Sequence, residues 1–271
     1  MIRSLLAPAG IMRRALWSLV LCIALPATVQ ADATVPIASA CTSPRDATSL
    51  GYLPTHLRLR IAQGRPIKIV AIGSSSTFGA GASSPAASYP SRLEAELKAR
   101  LPGLPVTVIN KGINGEEAPQ EFARFAADVL DETPDLVIWQ VGTNSVLRDH
   151  PTPAAVLREG IELMKTNGAD VILMNLQYAP KVLAKPAAQN AIDVIGATAR
   201  DEKIGLFDRF AVMRHWNEAE KMPFEAFITP DGLHMNDWGY ACVAKLVANA
   251  ILDGVKPPAT TATAASAALR R

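Results

Sequence analysis

Asp231-Gly232-Leu233-His234 sets a carboxylate three residues before an imidazole, and of the four histidines (His56, His150, His215, His234) only the last has an aspartate at that spacing. Within a turn, such spacing lets the carboxylate hold one ring nitrogen while the other faces outward. The tautomer is then fixed, and the imidazolium formed on proton uptake is stabilised. A pair of this kind is a proton relay in need of a nucleophile, and hydroxyls are on offer in Gly73-Ser74-Ser75-Ser76-Thr77-Phe78-Gly79. A serine hydroxyl is a poor nucleophile until a base lies within hydrogen-bond reach and an orienting group stands behind that base. Acyl transfer also needs hydrogen-bond donors where negative charge builds. Two further turns carry glycines and amides: Val108-Ile-Asn-Lys-Gly-Ile-Asn-Gly115-Glu-Glu117 and Gly142-Thr143-Asn144. Taken singly, each block has a plain structural reading as well: a serine turn caps a helix, glycines make turns, and an aspartate before a helix is a cap with a surface histidine beside it.

Scattered blocks do chemistry only if the fold gathers them. The runs Ile67–Ile72, Val106–Ile109, Leu136–Val141 and Val171–Met174 are short, apolar and β-branched, the composition of strands buried on both faces, and Gly205–Phe207 is a fifth, weaker run. Helical spacing fills the intervals Tyr89–Leu101, Pro119–Leu130, Pro153–Asn167, Ala187–Lys203 and Asp237–Leu252. Alternation of this kind calls for parallel strands joined by right-handed crossover helices on both faces. The expected fold is therefore α/β, a three-layer α/β/α sandwich around a five-stranded parallel sheet. Ligands in such sheets bind beyond the carboxyl ends of the strands, and three of the four blocks directly follow a strand.

In order and in type, the four blocks resemble those of the SGNH (GDSL-like) hydrolase family. Its first block reads Gly-Asp-Ser with a glycine a few residues on; aligning Gly73 and Gly79 puts Ser75 at the nucleophile position, with Ser74 where the family has aspartate. The second block is similar to the family's Asn-x-x-x-x-Gly turn and makes Gly115 the backbone donor, with Gly112 competing for the role. Gly142-Thr143-Asn144 matches the Gly-x-Asn block, so that Asn144 would present its side-chain amide to an oxyanion. The resemblance spans Gly73 to His234 and implies a flavodoxin-like SGNH hydrolase fold. It further implies a serine esterase acting on acyl or acetyl esters of carbohydrate or lipid through Ser75, His234 and Asp231, with an oxyanion hole of Ser75, Gly115 and Asn144. No metal and no organic cofactor is implied. An acyltransferase, or a non-catalytic carbohydrate-binding module on the same fold, is the alternative.

Rival motifs fail on particular residues. The nucleophile elbow of an α/β-hydrolase, Gly-x-Ser-x-Gly, has Thr77 in place of its second glycine. A dinucleotide reading of Gly79-Ala-Gly81 meets Ser84 where the third glycine belongs, and no Walker lysine follows. Neither a Cys-x-x-Cys pair nor a His-Glu-x-x-His zinc motif is present.

The chain of 271 residues, 49% hydrophobic and 19% charged, has enough apolar material for one sizeable domain. Arg3, Arg13 and Arg14 precede the apolar run Ala15–Leu25, and Pro26 to Ala31 is a small-residue exit, which reads as a signal peptide over 1–31 cleaved near Ala31; Met12 also serves as a start. The run is too short for the roughly 20 residues of a membrane span. Leu21 before Cys22 argues against lipid attachment. Residues 32–65 read as an N-terminal leader segment, 66–254 as the hydrolase domain and 255–271, rich in Ala, Thr and Pro, as a disordered tail. Removing 1–31 lowers Lys+Arg from 27 to 24 against 25 acidic residues, moving the formal balance from +2 to −1. No basic block with interleaved aromatics remains for a nucleic-acid partner. The expected location is periplasmic or secreted, where Cys41 and Cys242 either form a disulfide or stay as two buried thiols. The expected partner is a small-molecule or polysaccharide ester. Trp139 reads as core, while Trp216 and Trp238 divide evenly between core and substrate site.

Overall fold

The computed structural model describes residues 41–255. The expected signal peptide, and the tail past Val255, lie outside the described residues. Five strands form, β1 (Ile67–Gly73), β2 (Val106–Gly112), β3 (Leu136–Gln140), β4 (Asp170–Met174) and β5 (Gly205–Phe207). All pairings are parallel, in the order β2-β1-β3-β4-β5. Ile69 to Ile72 and Leu136 to Trp139 are fully buried, which explains why these strands read as unbroken apolar runs with no polar alternation. Each such side chain taken out of water contributes on the order of 1.5–3 kcal/mol.

The strand order dictates the layers. The chain leaves β1 toward β2 in one direction and returns past β1 to β3 in the other, so right-handed crossovers put the intervening helices on opposite faces. Helix Tyr89–Arg100 accordingly packs with the closing helix Asp237–Val255, whereas Ala118–Ala123, Ala154–Thr166 and Ala188–Asp201 pack with one another on the second face. The order reverses between β1 and β3, and there the crevice at the carboxyl edge opens.

Several boundaries differ from the sequence reading for local reasons. The helix expected over Pro119–Leu130 breaks after Ala123 and resumes as a π-helical turn, Ala126–Leu130. Arg124 lies at the break, its guanidinium reaching the Lys111 carbonyl at 2.8 Å and Glu116 Oε2 at 2.8 Å. Val255 completes the closing helix and does not start a tail. The described part of the leader carries helices Arg45–Thr48 and Thr55–Ala62 and contributes Ala47, Leu50 and Leu57 to the core. The Leu57 N–H donates to Asp170 Oδ2 at the start of β4 (2.8 Å). Cys41 and Cys242 are joined in a disulfide with their Cα atoms 5.3 Å apart, tying the leader to the closing helix.

Glu121 makes the fold sensitive to pH. It is 1% exposed, on the helix between β2 and β3, and accepts from Trp139 Nε1 at 2.7 Å. Burial pushes its carboxyl up to about 8, against a smaller lowering by the indole donor. The folded state therefore keeps a proton that the unfolded chain releases near 4.5. The contribution is full below that pH and is lost as pH rises to about 8. Glu121→Gln retains an oxygen for Trp139 and removes the titration. Urea melts at pH 5 and 8.5 are expected to show the variant gaining stability over the wild type at the higher pH, on the order of a few kcal/mol. Equal pH slopes for the two proteins would refute a buried, protonated Glu121.

Candidate active site

Ser75 follows β1 directly and opens the short helix Ser75–Phe78. Its neighbours' hydroxyls point elsewhere: Ser74 Oγ donates to Gln140 Oε1 at 3.0 Å, and Ser76 Oγ lies 3.5 Å from Gln177 Oε1. Ser75 Oγ instead lies 2.9 Å from His234 Nε2. On the far side of the ring, His234 Nδ1 is 2.5 Å from Asp231 Oδ2. A carboxylate only accepts, so Nδ1 carries the proton and Nε2 is left to accept from the serine.

The loop holding this relay is braced by the same carboxylate. Asp231 Oδ1 accepts from the N–H groups of Leu233 (2.8 Å) and His234 (3.0 Å), and the Thr229 hydroxyl lies 2.7 Å away. Burial alone would raise the Asp231 pKa; the hydrogen bonds from the His234 ring, the two N–H groups and Thr229 outweigh it and hold the group well below the usual carboxylate range. It stays charged opposite the imidazole. Gly81, in the motif that a dinucleotide reading would claim, serves this loop: a Cβ there would lie 2.7 Å from the Met235 carbonyl and 3.1 Å from His234 Cβ. The loop after Ser75 thus backs directly onto the histidine loop, and Tyr240 Oη fastens the closing helix to the Ala80 carbonyl at 2.7 Å.

The turn after β2 sits on the same edge. The Ile113 N–H donates to the Gly73 carbonyl at 3.0 Å, seating the turn on the last residue of β1. Of the two competing glycines, Gly112 has its N–H engaged by Asn110 Oδ1 at 2.9 Å. A Cβ on it would fall 2.0 Å from the Phe78 nitrogen; Gly112 lets the serine-bearing helix lie against β2. Gly115, at φ 82°, has its carbonyl held by Arg148 Nη2 at 2.8 Å. Asn144, at the start of the helix Thr143–Leu147 after β3, donates from Nδ2 to the Glu116 carbonyl at 2.7 Å. The structure thus brings Asn144 to the Glu116–Glu117 peptide, one residue past Gly115, and leaves the second amide hydrogen of Asn144 for another acceptor.

Sequence reasoning missed the side chains that support these groups. Glu117 accepts from Arg148 Nη1 (2.7 Å) and Ser145 Oγ (3.0 Å) and lies 3.1 Å from His150 Nδ1. Burial pulls its carboxyl up, and those hydrogen bonds more than reverse the pull, so it is held below its ordinary value. Gln140 was visible as the one polar residue in the run Leu136–Val141; it takes the N–H and hydroxyl of Ser74 at 3.1 and 3.0 Å. An amide thereby satisfies the residue that stands in the aspartate position of the resembled motif. Among the three tryptophans of the described residues, Trp139 and Trp216 are fully buried, and Trp238 packs edge-on against Trp216 at 5.1 Å. Among the described residues, no group of three or more His, Cys, Asp or Glu side chains is placed to share a metal ion.

Residues with known relatives extend over most of the chain. An arylesterase from Vibrio mimicus is 28% identical over 152 residues, which cover 55% of this chain and 72% of that protein. A two-domain esterase active on acetylated mannans superposes with a TM-score of 0.68 at 24% identity, covering 80% of this chain; the chain spans only 57% of that esterase's length. An acetylxylan esterase from Geobacillus stearothermophilus superposes with a TM-score of 0.56 at 23% identity, over 71% of this chain and 95% of that one. Both structural likenesses are of fold, the SGNH hydrolase fold. Residues 40–257 match the model of the non-GDSL lipase-like family, a description that suits a first block with Ser74 where Gly-Asp-Ser has its acid, and the chain belongs to that family.

Proposed function

We propose that this protein is an exported serine esterase in which Ser75 is the nucleophile, His234 the general base and acid, and Asp231 its orienting partner. The single observation that carries the reading is the continuous hydrogen-bonded line Ser75 Oγ, His234 Nε2, His234 Nδ1, Asp231 Oδ2 at 2.9 and 2.5 Å. It is a carboxylic ester hydrolase, a class supported by the arylesterase and acetyl esterase relatives. In the proposed cycle His234 Nε2 takes the Ser75 proton as Oγ attacks the ester carbonyl. The tetrahedral oxyanion is held by the Ser75 and Gly115 N–H groups and the Asn144 amide. The carbonyl re-forms as the alcohol leaves with the proton from His234. Water, deprotonated by the same nitrogen, then attacks the acyl-enzyme and releases the acid and free Ser75. Acetyl or short acyl esters of carbohydrates are the proposed substrates, by likeness to the relatives' names. The proposed signal peptide accords with the Cys41–Cys242 bond, a linkage that persists in oxidising compartments.

A fluorophosphonate probe is expected to label wild-type protein at Ser75 and to leave Ser75→Ala unlabelled; absence of labelling in the folded wild type would favour a binding module. A series of 4-nitrophenyl esters of increasing chain length, run beside acetate release from acetylated glycans, is expected to favour acetyl. Activity rising steadily with chain length would overturn the substrate assignment.

A further inference from the structure

Ser75, Asn144 and the Asp231–His234 pair stand on three separate loops, after β1, after β3 and before the closing helix. One side chain reaches all three. Gln177, three residues past β4 and 1% exposed, accepts at Oε1 from Thr143 Oγ1 (2.7 Å) and Arg209 Nη2 (2.8 Å), with Ser76 Oγ at 3.5 Å. Its Nε2 donates to the Leu233 carbonyl at 3.4 Å. Ser76, Thr143 and Leu233 are the sequence neighbours of Ser75, Asn144 and His234. We propose that Gln177, held by Arg209, is the positioning residue that sets the spacing of Ser75, Asn144 and His234; the proposal rests on the serine-esterase reading above.

The chemistry requires an amide at this point. Two loops present hydroxyl donors and the third presents a carbonyl, so the linking group must accept at one end and donate at the other. A carboxylate has no donor, and a serine is too short. Arg209 decides the orientation: a guanidinium only donates, so the end of Gln177 facing it must be oxygen, and the nitrogen is turned to Leu233. Arg209 is fully buried, and its Nε donates to the Asn175 carbonyl at 3.1 Å. Its Nη1 has no hydrogen-bond partner, and the ionisable groups that act on it are the phenols of Tyr89 and Tyr240. A buried cation held by neutral acceptors is costly. Its charge strengthens the bond to Gln177 Oε1, which is what a fixed pivot under three loops needs.

Gln177→Glu separates positioning from packing. The shape is kept, Arg209 gains a counter-charge, and Thr143 keeps its acceptor; only the donor to Leu233, on the His234 loop, is lost. Thermal melting is expected to stay within a few degrees of wild type while kcat on 4-nitrophenyl acetate falls about 10–100-fold and KM changes less than about threefold, the signature of displaced reacting groups. Thr143→Val, which removes the shortest link with little change of volume, is expected to lower kcat about 3–10-fold on the same ground. A wild-type kcat in either variant, melting normally, would overturn the proposal, as would a fall confined to stability. Ser75→Ala, assayed alongside, keeps the two readings apart. If it is inactive while Gln177→Glu is fully active, only the positioning role fails; if it is active, the esterase assignment fails first.

Discussion

Ser75→Ala and His234→Ala are each expected to lower kcat toward a 4-nitrophenyl ester by about 10³–10⁶-fold with the fold retained. Ser75 Oγ is the only hydroxyl of the Ser74–Ser76 run on the imidazole, since the flanking two lie on Gln140 and Gln177. Its loss removes the atom that attacks, and loss of His234 removes the acceptor of its proton. Because the two act as a unit, the double variant is expected to be scarcely worse than either single one. Asp231→Asn is expected to cost as much or less. An amide there can offer its nitrogen to Nδ1, which favours the tautomer with its proton on Nε2, the wrong one for taking a proton from serine. It also weakens a loop brace, because Asp231 Oδ1 receives two backbone N–H groups. Circular dichroism and melting temperature distinguish that structural loss from the chemical one. Full activity in Ser75→Ala, with Ser74→Ala or Ser76→Ala inactive, would mean that the nucleophile is a neighbouring serine.

How much of this arrangement could be read from residues follows the range of the forces involved. The strands were legible because burial on both faces leaves a signature in every residue, as in Leu136–Trp139. The Asp231–His234 pair was legible because its geometry closes within four residues. Short helices such as Thr143–Leu147 and Pro180–Leu183 carry too few turns for a period to show in the sequence. The break at Arg124 is a tertiary effect: its guanidinium spans to Lys111 and Glu116, and no local propensity encodes that reach. Gln177 shows the limit most clearly. Its partners lie 34, 32, 101 and 56 residues away, and only the fold makes them neighbours. The same holds for Trp216, whose sequence allowed core or substrate site; its Nε1 donates to the Thr42 carbonyl of the leader at 2.9 Å, a partner that settles it inside.

Asn144→Ala is expected to lower kcat about 10²–10³-fold with little change in KM, the cost of one oxyanion donor. The proposed role asks for a donor that is already oriented before charge develops. The bond from Asn144 Nδ2 to the Glu116 carbonyl supplies that orientation: it uses one amide hydrogen, fixes the plane of the group and leaves the other hydrogen in a set direction. Arg148, on the Gly115 carbonyl, fixes the adjoining peptide in the same way. Alanine at 144 therefore removes a donor and also releases the Glu116 carbonyl, so a modest loss of stability accompanies the catalytic one. Asn144→Asp tells these effects apart. A carboxylate occupies the same space but, ionised, donates nothing and repels a neighbouring oxyanion, so its kcat is expected to fall at least as far as that of the alanine variant. If both variants turned over within about threefold of wild type, a range that the loss of a strong donor does not permit, Asn144 would be a loop tether only, and the charge of the tetrahedral intermediate would have to be met by backbone N–H groups alone.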